Sequence, residues 1–218
     1  MNEMKLETIV LGIVQTNTYI ISNQQLKEAI VVDPADDANR ILQYLKANDL
    51  VCKGILLTHG HFDHILAAEG LKELTEAPIY AHEAESRLLG DAKLNASDHI
   101  RKECSLKPDA LLKDGESLSL AGYLIKVIHT PGHTAGGVCY YFQGHGVLIS
   151  GDTLFYEDIG RSDLPTGNHK QLVEGIRSKL MCLEDGVKVY PGHGRSTTIG
   201  HEREYNIYIS PSADLFDV

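Results

Sequence analysis

Short apolar, β-branched runs separated by Gly, Asn and Gln open the chain at residues 6–11, 18–22 and 29–32. Runs of this length between turn formers predict three antiparallel strands. Asp33-Pro34 ends the third, and Asp36 is placed to cap a helix carrying Ile41, Leu42 and Leu45 at helical spacing. A strand at 54–58 follows, then a helical pattern through Ile65, Leu66, Leu71 and Leu74. A short strand at 79–81 and a helix near 83–89 come next. Residues 90–114 lose all clear periodicity, since Asp91, Asn95, Ser97, Asp98 and Pro108 interrupt it. An irregular excursion with one helical turn is expected there, either a functional lid or a plain solvated connection. Strand patterns return at 123–129, 137–142 and 146–150, with a hairpin turn at 143–146. A helix over 169–180, a strand at 187–190 and a last helix near 202–208 complete the pattern. Two β-rich halves around a helix–strand stretch predict sheets sandwiched between helices.

The chain has 218 residues, which suits one domain, taken as 1–218. At 43% hydrophobic and 23% charged residues the composition is that of a globular enzyme with a sizeable core. A formal net charge of -10 without a basic block argues against nucleic acid as a partner. No apolar run approaches the length of a membrane span, and residues 1–7 hold no apolar signal core. Cys52, Cys104, Cys139 and Cys182 lack C-x-x-C spacing and are expected to be reduced thiols of a cytoplasmic protein.

The chemistry concentrates at Thr58-His59-Gly60-His61-Phe62-Asp63-His64, directly after the apolar run Ile55-Leu56-Leu57. Three imidazoles and one carboxylate within six residues form a cluster of nitrogen and oxygen ligands at a strand end. In an extended chain His59 and His61 point to the same side. Such ligands suit zinc, with iron or manganese as alternatives. Three further turns repeat the pattern of an apolar run, a Gly-containing turn and a ligand. Thr130-Pro131-Gly132-His133 presents His133, Ser150-Gly151-Asp152 presents Asp152, and Tyr190-Pro191-Gly192-His193 presents His193. A single histidine after a strand is usually structural; three such turns beside a six-residue cluster point to a metal centre.

These segments, together with Gly160-Arg161-Ser162-Asp163-Leu164-Pro165, resemble the metallo-β-lactamase-fold hydrolases, and among them the glyoxalase II-type subgroup. The resemblance implies an α+β fold, a four-layer αββα sandwich with two metals at one edge of its sheets. His59, His61 and His133 would hold the first ion, Asp63, His64 and His193 the second, and Asp152 would bridge them. In related di-iron flavoproteins the position of His61 is Glu. In the true β-lactamases the bridging Asp is absent.

Two cations roughly 3.5–4 Å apart lower the pKa of a shared water to about 7. The expected reaction is therefore hydrolysis through a metal-bridging hydroxide, with Asp63 as the catalytic residue that orients it. No side chain is identifiable as an acid for a poor leaving group. A thiolate needs none, because thiol pKa values lie near 8.5. A thioester is thus the expected small-molecule substrate, and the resemblance implies one such as a hydroxyacylglutathione. The alternatives are a lactone, or oxidation of a persulfide by one iron at the positions of His59, His133 and Asp152. Arg161, with Arg195 second, is the expected partner of an anionic substrate group. Asp33 and Thr58 are candidates for orienting the ligand imidazoles, Asp33 equally a turn residue before Pro34.

Two departures from the subgroup stand out. Only 25 residues follow His193, where glyoxalase II enzymes have a helical domain that grips glutathione, so the resemblance does not carry over the glutathione specificity. Leu66 occupies a position where family members commonly have Gly.

Overall fold

The computed structural model describes residues 4–100 and 102–209. The reading of residues 1–3 as free of a signal core, and the outer limits of the 1–218 span, lie outside the described residues.

Two six-stranded sheets face each other. The first contains, side by side, β1 (Met4–Leu11), β2 (Thr16–Asn23), β3 (Glu28–Val32), β4 (Val51–Leu56), β5 (Ile79–His82) and β6 (Ala110–Leu112). Strands β1 to β3 are antiparallel, as expected, whereas β3 to β6 run parallel. The second sheet starts from β7 (Ser117–Leu120), β8 (Tyr123–His129), β9 (Val138–Phe142) and β10 (Val147–Gly151). After a small ribbon of β11 (Leu154–Phe155) and β12 (Asp158–Ile159), β13 (Lys188–Pro191) and β14 (Thr197–Thr198) extend it, in the order β14-β13-β10-β9-β8-β7.

The helices are α1 (Ala38–Ala47), α2 (Phe62–Ile65), α3 (Ala68–Thr75), α4 (Ser86–Leu89), α5 (His169–Gly175, continued by a π turn at Ile176–Leu180) and α6 (Ile199–Tyr205). Three apolar layers hold the stack together. Ile41 and Leu45 of α1 and Leu71 of α3 pack on Ile20, Val31 and Ile55 of the first sheet. Ile21, Ile30 and Leu56 meet Ile125, Tyr140 and Ile149 between the sheets. Leu172, Ile176 and Leu180 cover Cys139, Leu148 and Val189 on the outer face of the second sheet. The layer order is helix, sheet, sheet, helix, the expected αββα sandwich. Alternation along β8, whose Tyr123, Ile125 and Val127 face inward while Leu124 and Lys126 face out, shows how a period of two assigns faces.

Several expectations shift. Asp37, not Asp36, caps α1. It adopts a left-handed conformation, φ 48°, and accepts from Arg40 N at 3.1 Å, while Asp36 accepts from Asp37 N. The strand expected at 54–58 spans Val51–Leu56, so Thr58 and His59 lie past its end. The helical pattern from Ile65 to Leu74 divides into α2 and α3, because Ala67 N donates to Pro34 O at 3.0 Å instead of continuing the helix. The last helix starts at Ile199, capped by Thr198, and ends at Tyr205. The excursion at 90–114 ends in the unforeseen strand β6. Its inner part is fixed by Phe62 N donating to Asn95 O at 2.9 Å, and Asn95 is buried.

Strand pairing sets the position of the site. Parallel β3 and β4 place Val32 opposite Leu56, so Asp33 emerges beside the 57–64 turn. Parallel β10 and β13 place Gly151 opposite Pro191, so Asp152 and His193 leave neighbouring strand ends. Antiparallel β8 and β9 pair His129 with Val138 and leave 130–137, with His133, as their loop. These strand ends lie at one rim of the sandwich. All four cysteines are free, and burial pushes the Cys52 and Cys139 thiols up to about 11. Among the described residues no helix is long and apolar enough to cross a membrane.

Candidate metal centre

The rim gathers all seven expected ligands. They form three overlapping groups, His59/His61/His133, His59/His64/Asp152 and Asp63/His64/His193, each with its ligand atoms within 4.8 Å of one another. His133 Nε2 lies 2.9 Å from His61 Nδ1 and 3.3 Å from His59 Nε2. His64 Nε2 lies 3.4 Å from His193 Nε2. Asp152 reaches both sides, with Oδ1 3.4 Å from His64 Nε2 and Oδ2 3.6 Å from His133 Nε2 and 3.5 Å from His193 Nε2. Asp63 Oδ2 is 3.3 Å from His193 Nε2.

The donor set fits a pair of cations. Imidazole nitrogens converge on one another, His61 through its Nδ1, and Asp152 Oδ1 beside them is buried without a hydrogen-bond partner, an expensive state for a polar atom unless a ligand satisfies it. Three of the far ring nitrogens are engaged. His133 Nδ1 donates to Arg161 O at 2.7 Å, His64 Nδ1 to Asp33 Oδ2 at 2.9 Å, and His59 Nδ1 meets Thr58 Oγ1 at 3.1 Å. For His133 and His64 this fixes the tautomer that turns the Nε2 lone pair inward. Gly192 is obligatory, because a Cβ there would collide with Asp152 Oδ1 and His64 Cε1.

Electrostatics divides the centre. Burial, reinforced by neighbouring histidines, pulls His59 down and His61 down to about 3; burial also pulls His133 down. At pH 7 these imidazoles are neutral, the form in which they could bind a cation. On the other side burial is outweighed by carboxylates. Asp63, Asp152 and Asp33 push His64 up to about 9, and Asp152 and Asp63 push His193 up to about 10. Below those values the metal-free chain holds protons on His64 and His193, and a cation must displace them. Zinc uptake at pH 7 is thus expected to release protons from the Asp63/His64/His193 side, and less at pH 10. Titration of zinc into metal-free protein in buffers of different ionisation enthalpy measures it; an uptake independent of buffer would contradict the charge division.

Asp33 and Thr58 take the orienting roles expected of them. Asp33 is 1% exposed and accepts from Thr58 N at 2.8 Å and Thr58 Oγ1 at 2.6 Å besides holding His64. It does so with φ 50°, a left-handed conformation that Asp tolerates better than most residues. Arg161 lines the cavity in front of the centre, but its guanidinium is held by Asp163 through two bonds of 2.7 and 2.8 Å. Arg195 is elsewhere, stacked over the Tyr156 ring at 3.3 Å.

The start of β2 was not anticipated as part of the site. Thr16 Oγ1 donates to Asp63 Oδ2 at 2.9 Å, Asn17 Nδ2 to Pro191 O and Gly194 O at 2.9 Å each, and Tyr19 OH to Pro191 O at 2.6 Å. Thr18 Oγ1 donates to Asp33 O at 2.7 Å. The one available signal was polar residues at consecutive positions of a strand that is buried throughout, and burial on both faces is invisible in a 16–19 Thr-Asn-Thr-Tyr string.

The cavity, about 470 Å³, is walled by Val14, Phe62, Ala96, Phe155, Ile159 and Leu164 over the His61, Asp63, His133, Asp152 and His193 floor. That is a size for a small molecule. Ala96 brings the 90–114 excursion into this wall.

Known proteins place the chain. It is 37% identical over 210 residues to a probable metallo-hydrolase of Bacillus subtilis, covering 95% of this chain and 98% of that one. A hydroxyacylglutathione hydrolase of Haemophilus influenzae is 34% identical, covering 95% and 99%. Among solved structures, the BLEG-1 B3 metallo-beta-lactamase superposes with a TM-score of 0.89 at 41% identity, covering 94% of this chain and 99% of that one. TTHA1623 in a di-iron-bound form superposes at 0.82 with 32% identity, covering 93% and 100%. ETHE1 from Myxococcus xanthus does so at 0.78 with 27% identity, covering 93% and 83%. With the family model matched over residues 11–193, the chain belongs to the metallo-beta-lactamase superfamily.

Proposed function

We propose that this metal-dependent hydrolase of the metallo-beta-lactamase superfamily holds two divalent ions, zinc being favoured, and cleaves thioesters of the hydroxyacylglutathione kind. The observation that carries the reading is the convergence of seven ligand groups from both sheets beneath an apolar cavity. Bound there, two divalent ions supply a nucleophilic water at neutral pH and polarise a carbonyl. His59, His61 and His133 would hold one ion and Asp63, His64 and His193 the other, with Asp152 shared.

The remaining work belongs to the chain. Asp63, steadied by Thr16, stays ionised because His64 and His193 outweigh the effect of its burial, so its carboxylate can accept and orient the proton of the attacking water. Phe62, Phe155, Ile159 and Leu164 exclude bulk water from the reacting carbonyl. Among the described lining residues the one carboxyl outside the candidate ligands is Asp158, which accepts from Ile159 N at 2.8 Å; a leaving group that departs as a thiolate needs no acid. The substrate-binding role falls to Arg161. Its exposed pair with Asp163 is worth roughly 0–1 kcal/mol, so a substrate carboxylate can take its place. Arg161→Ala is expected to raise KM about 10-fold with kcat nearly unchanged, the value of one charge-assisted hydrogen bond. Steady-state kinetics on an anionic and a neutral thioester check this; equal KM values in variant and parent return Arg161 to holding its loop.

The second reading is oxidation of a persulfide by a single iron, since His59, His133 and Asp152 also stand within reach of one another. Elemental analysis of protein purified without chelator, followed by assays on thioesters, acyl lactones, a chromogenic β-lactam and glutathione persulfide, decides. About two ions per chain with thioester turnover supports the proposal. One iron with oxygen uptake, or turnover confined to lactone or β-lactam, overturns it.

A further inference from the structure

We propose that Glu85 is a positioning residue of the metal centre, its carboxylate tying together the two loops that carry His59, His61 and His133. The inference rests on the two-ion reading above and adds a residue outside the ligand set. Glu85 follows β5 in a short 3-10 turn, Glu83–Glu85, and is 1% exposed. Its Oε1 accepts from Gly60 N at 2.9 Å, and its Oε2 accepts from Gly136 N at 2.6 Å. Gly60 separates His59 from His61, and Gly136 lies three residues after His133. One carboxylate therefore spans from the first sheet's ligand turn to the second sheet's ligand loop. Both glycines are closed to a side chain. A Cβ on Gly136 would run into the Glu85 backbone and side chain, and one on Gly60 would come within 2.7 Å of Leu89 Cδ2.

Charge adds to the geometry. Both Glu85 oxygens accept from backbone N–H groups, an arrangement that suits an anion. Burial pushes the Glu85 carboxyl up, while the Gly60 and Gly136 amides favour its ionised form. The imidazole trio across the Gly60 amide is where a cation would reside, and it has no carboxylate other than the shared Asp152. Glu202 provides the comparison. It is equally buried, yet it accepts from Glu157 N, Thr197 Oγ1 and Asn206 Nδ2, and it touches neither the 59–61 turn nor the 130–137 loop.

The experiment is zinc titration of metal-free wild-type protein, Glu85→Gln, Glu85→Asp and Glu202→Gln, followed by cobalt absorption spectra to report ligand geometry. Expected for Glu85→Gln is a 10- to 100-fold weaker uptake at the His59/His61/His133 side with the proton-releasing uptake at the Asp63/His64/His193 side kept, the scale for partners that orient ligands. Glu202→Gln should melt earlier but take up both ions as the wild type does. Equal weakening of both steps in both Gln variants would overturn the proposal in favour of a general packing role, as would wild-type uptake and spectra in Glu85→Gln. If Glu85→Gln does not fold, Glu85→Asp decides, with weakened uptake at the His59/His61/His133 side expected and wild-type uptake overturning. A wild-type protein that takes up no ion would instead refute the two-ion reading itself.

Discussion

Asp152→Ala is expected to lower kcat by about 1000-fold or more and to leave the protein short of metal. Among the described residues Asp152 is the one carboxylate whose oxygens face His64, His133 and His193 together. Without it the two halves share no ligand, and each would have to hold an ion with one donor fewer. Metal assistance in such reactions is worth several kcal/mol, and each 1.36 kcal/mol is a factor of ten in rate, which sets the scale. Stability should suffer less than activity, because removing a carboxylate between histidines also removes a buried charge. His59→Ala should behave similarly on the first side alone. Elemental analysis and thioester turnover on the same preparation test both; a folded Asp152→Ala protein with two ions and an unchanged rate would dismantle the centre.

Asp33→Ala should cost roughly 3–5 kcal/mol, the scale for removing one partner of a buried charged pair, and lower Tm by roughly 10 °C for a chain of this size. The variant strands Thr58 N, Thr58 Oγ1 and the His64 Nδ1 proton in a buried place. It also puts Ala at φ 50°, where a β-carbon is disfavoured. Asp33→Asn separates the two effects. Asn tolerates the backbone and keeps one acceptor, so it should recover part of the Tm, whereas metal affinity should remain about 10- to 100-fold down because the anion behind His64 is gone. Thermal melts of metal-free and zinc-loaded protein measure both terms. A wild-type Tm for Asp33→Ala would reduce Asp33 to a turn former.

The candidate ligands were legible because their local chemistry is loud. His59 to His64 form a dense polar cluster after an apolar run, and His133, Asp152 and His193 each sit in a glycine-containing turn. The layers were legible because periods of two and 3.6 assign faces to strands and helices. What escaped depends on burial from both sides or on contacts distant in sequence. Thr16, Asn17 and Glu85 look like surface residues in a string, and only the docking of β2 against the 191–194 turn, or of the Glu83–Glu85 turn against two loops, turns them inward. The break between α2 and α3 depends on the carbonyl of Pro34, 33 residues upstream of Ala67. Short edge strands such as β6 and β14 carry too few residues for a pattern.

All the reactive groups sit on the turns of one rim, and the far rim has a freedom of its own. The Gln143–His145 turn between β9 and β10 is at that end, and a Cβ on Gly144 meets nothing within 4 Å. A fluorophore, an affinity handle or a surface tether grafted there would leave the mouth of the cavity facing open solution, so an immobilised enzyme could be fed substrate without its anchor standing in the way.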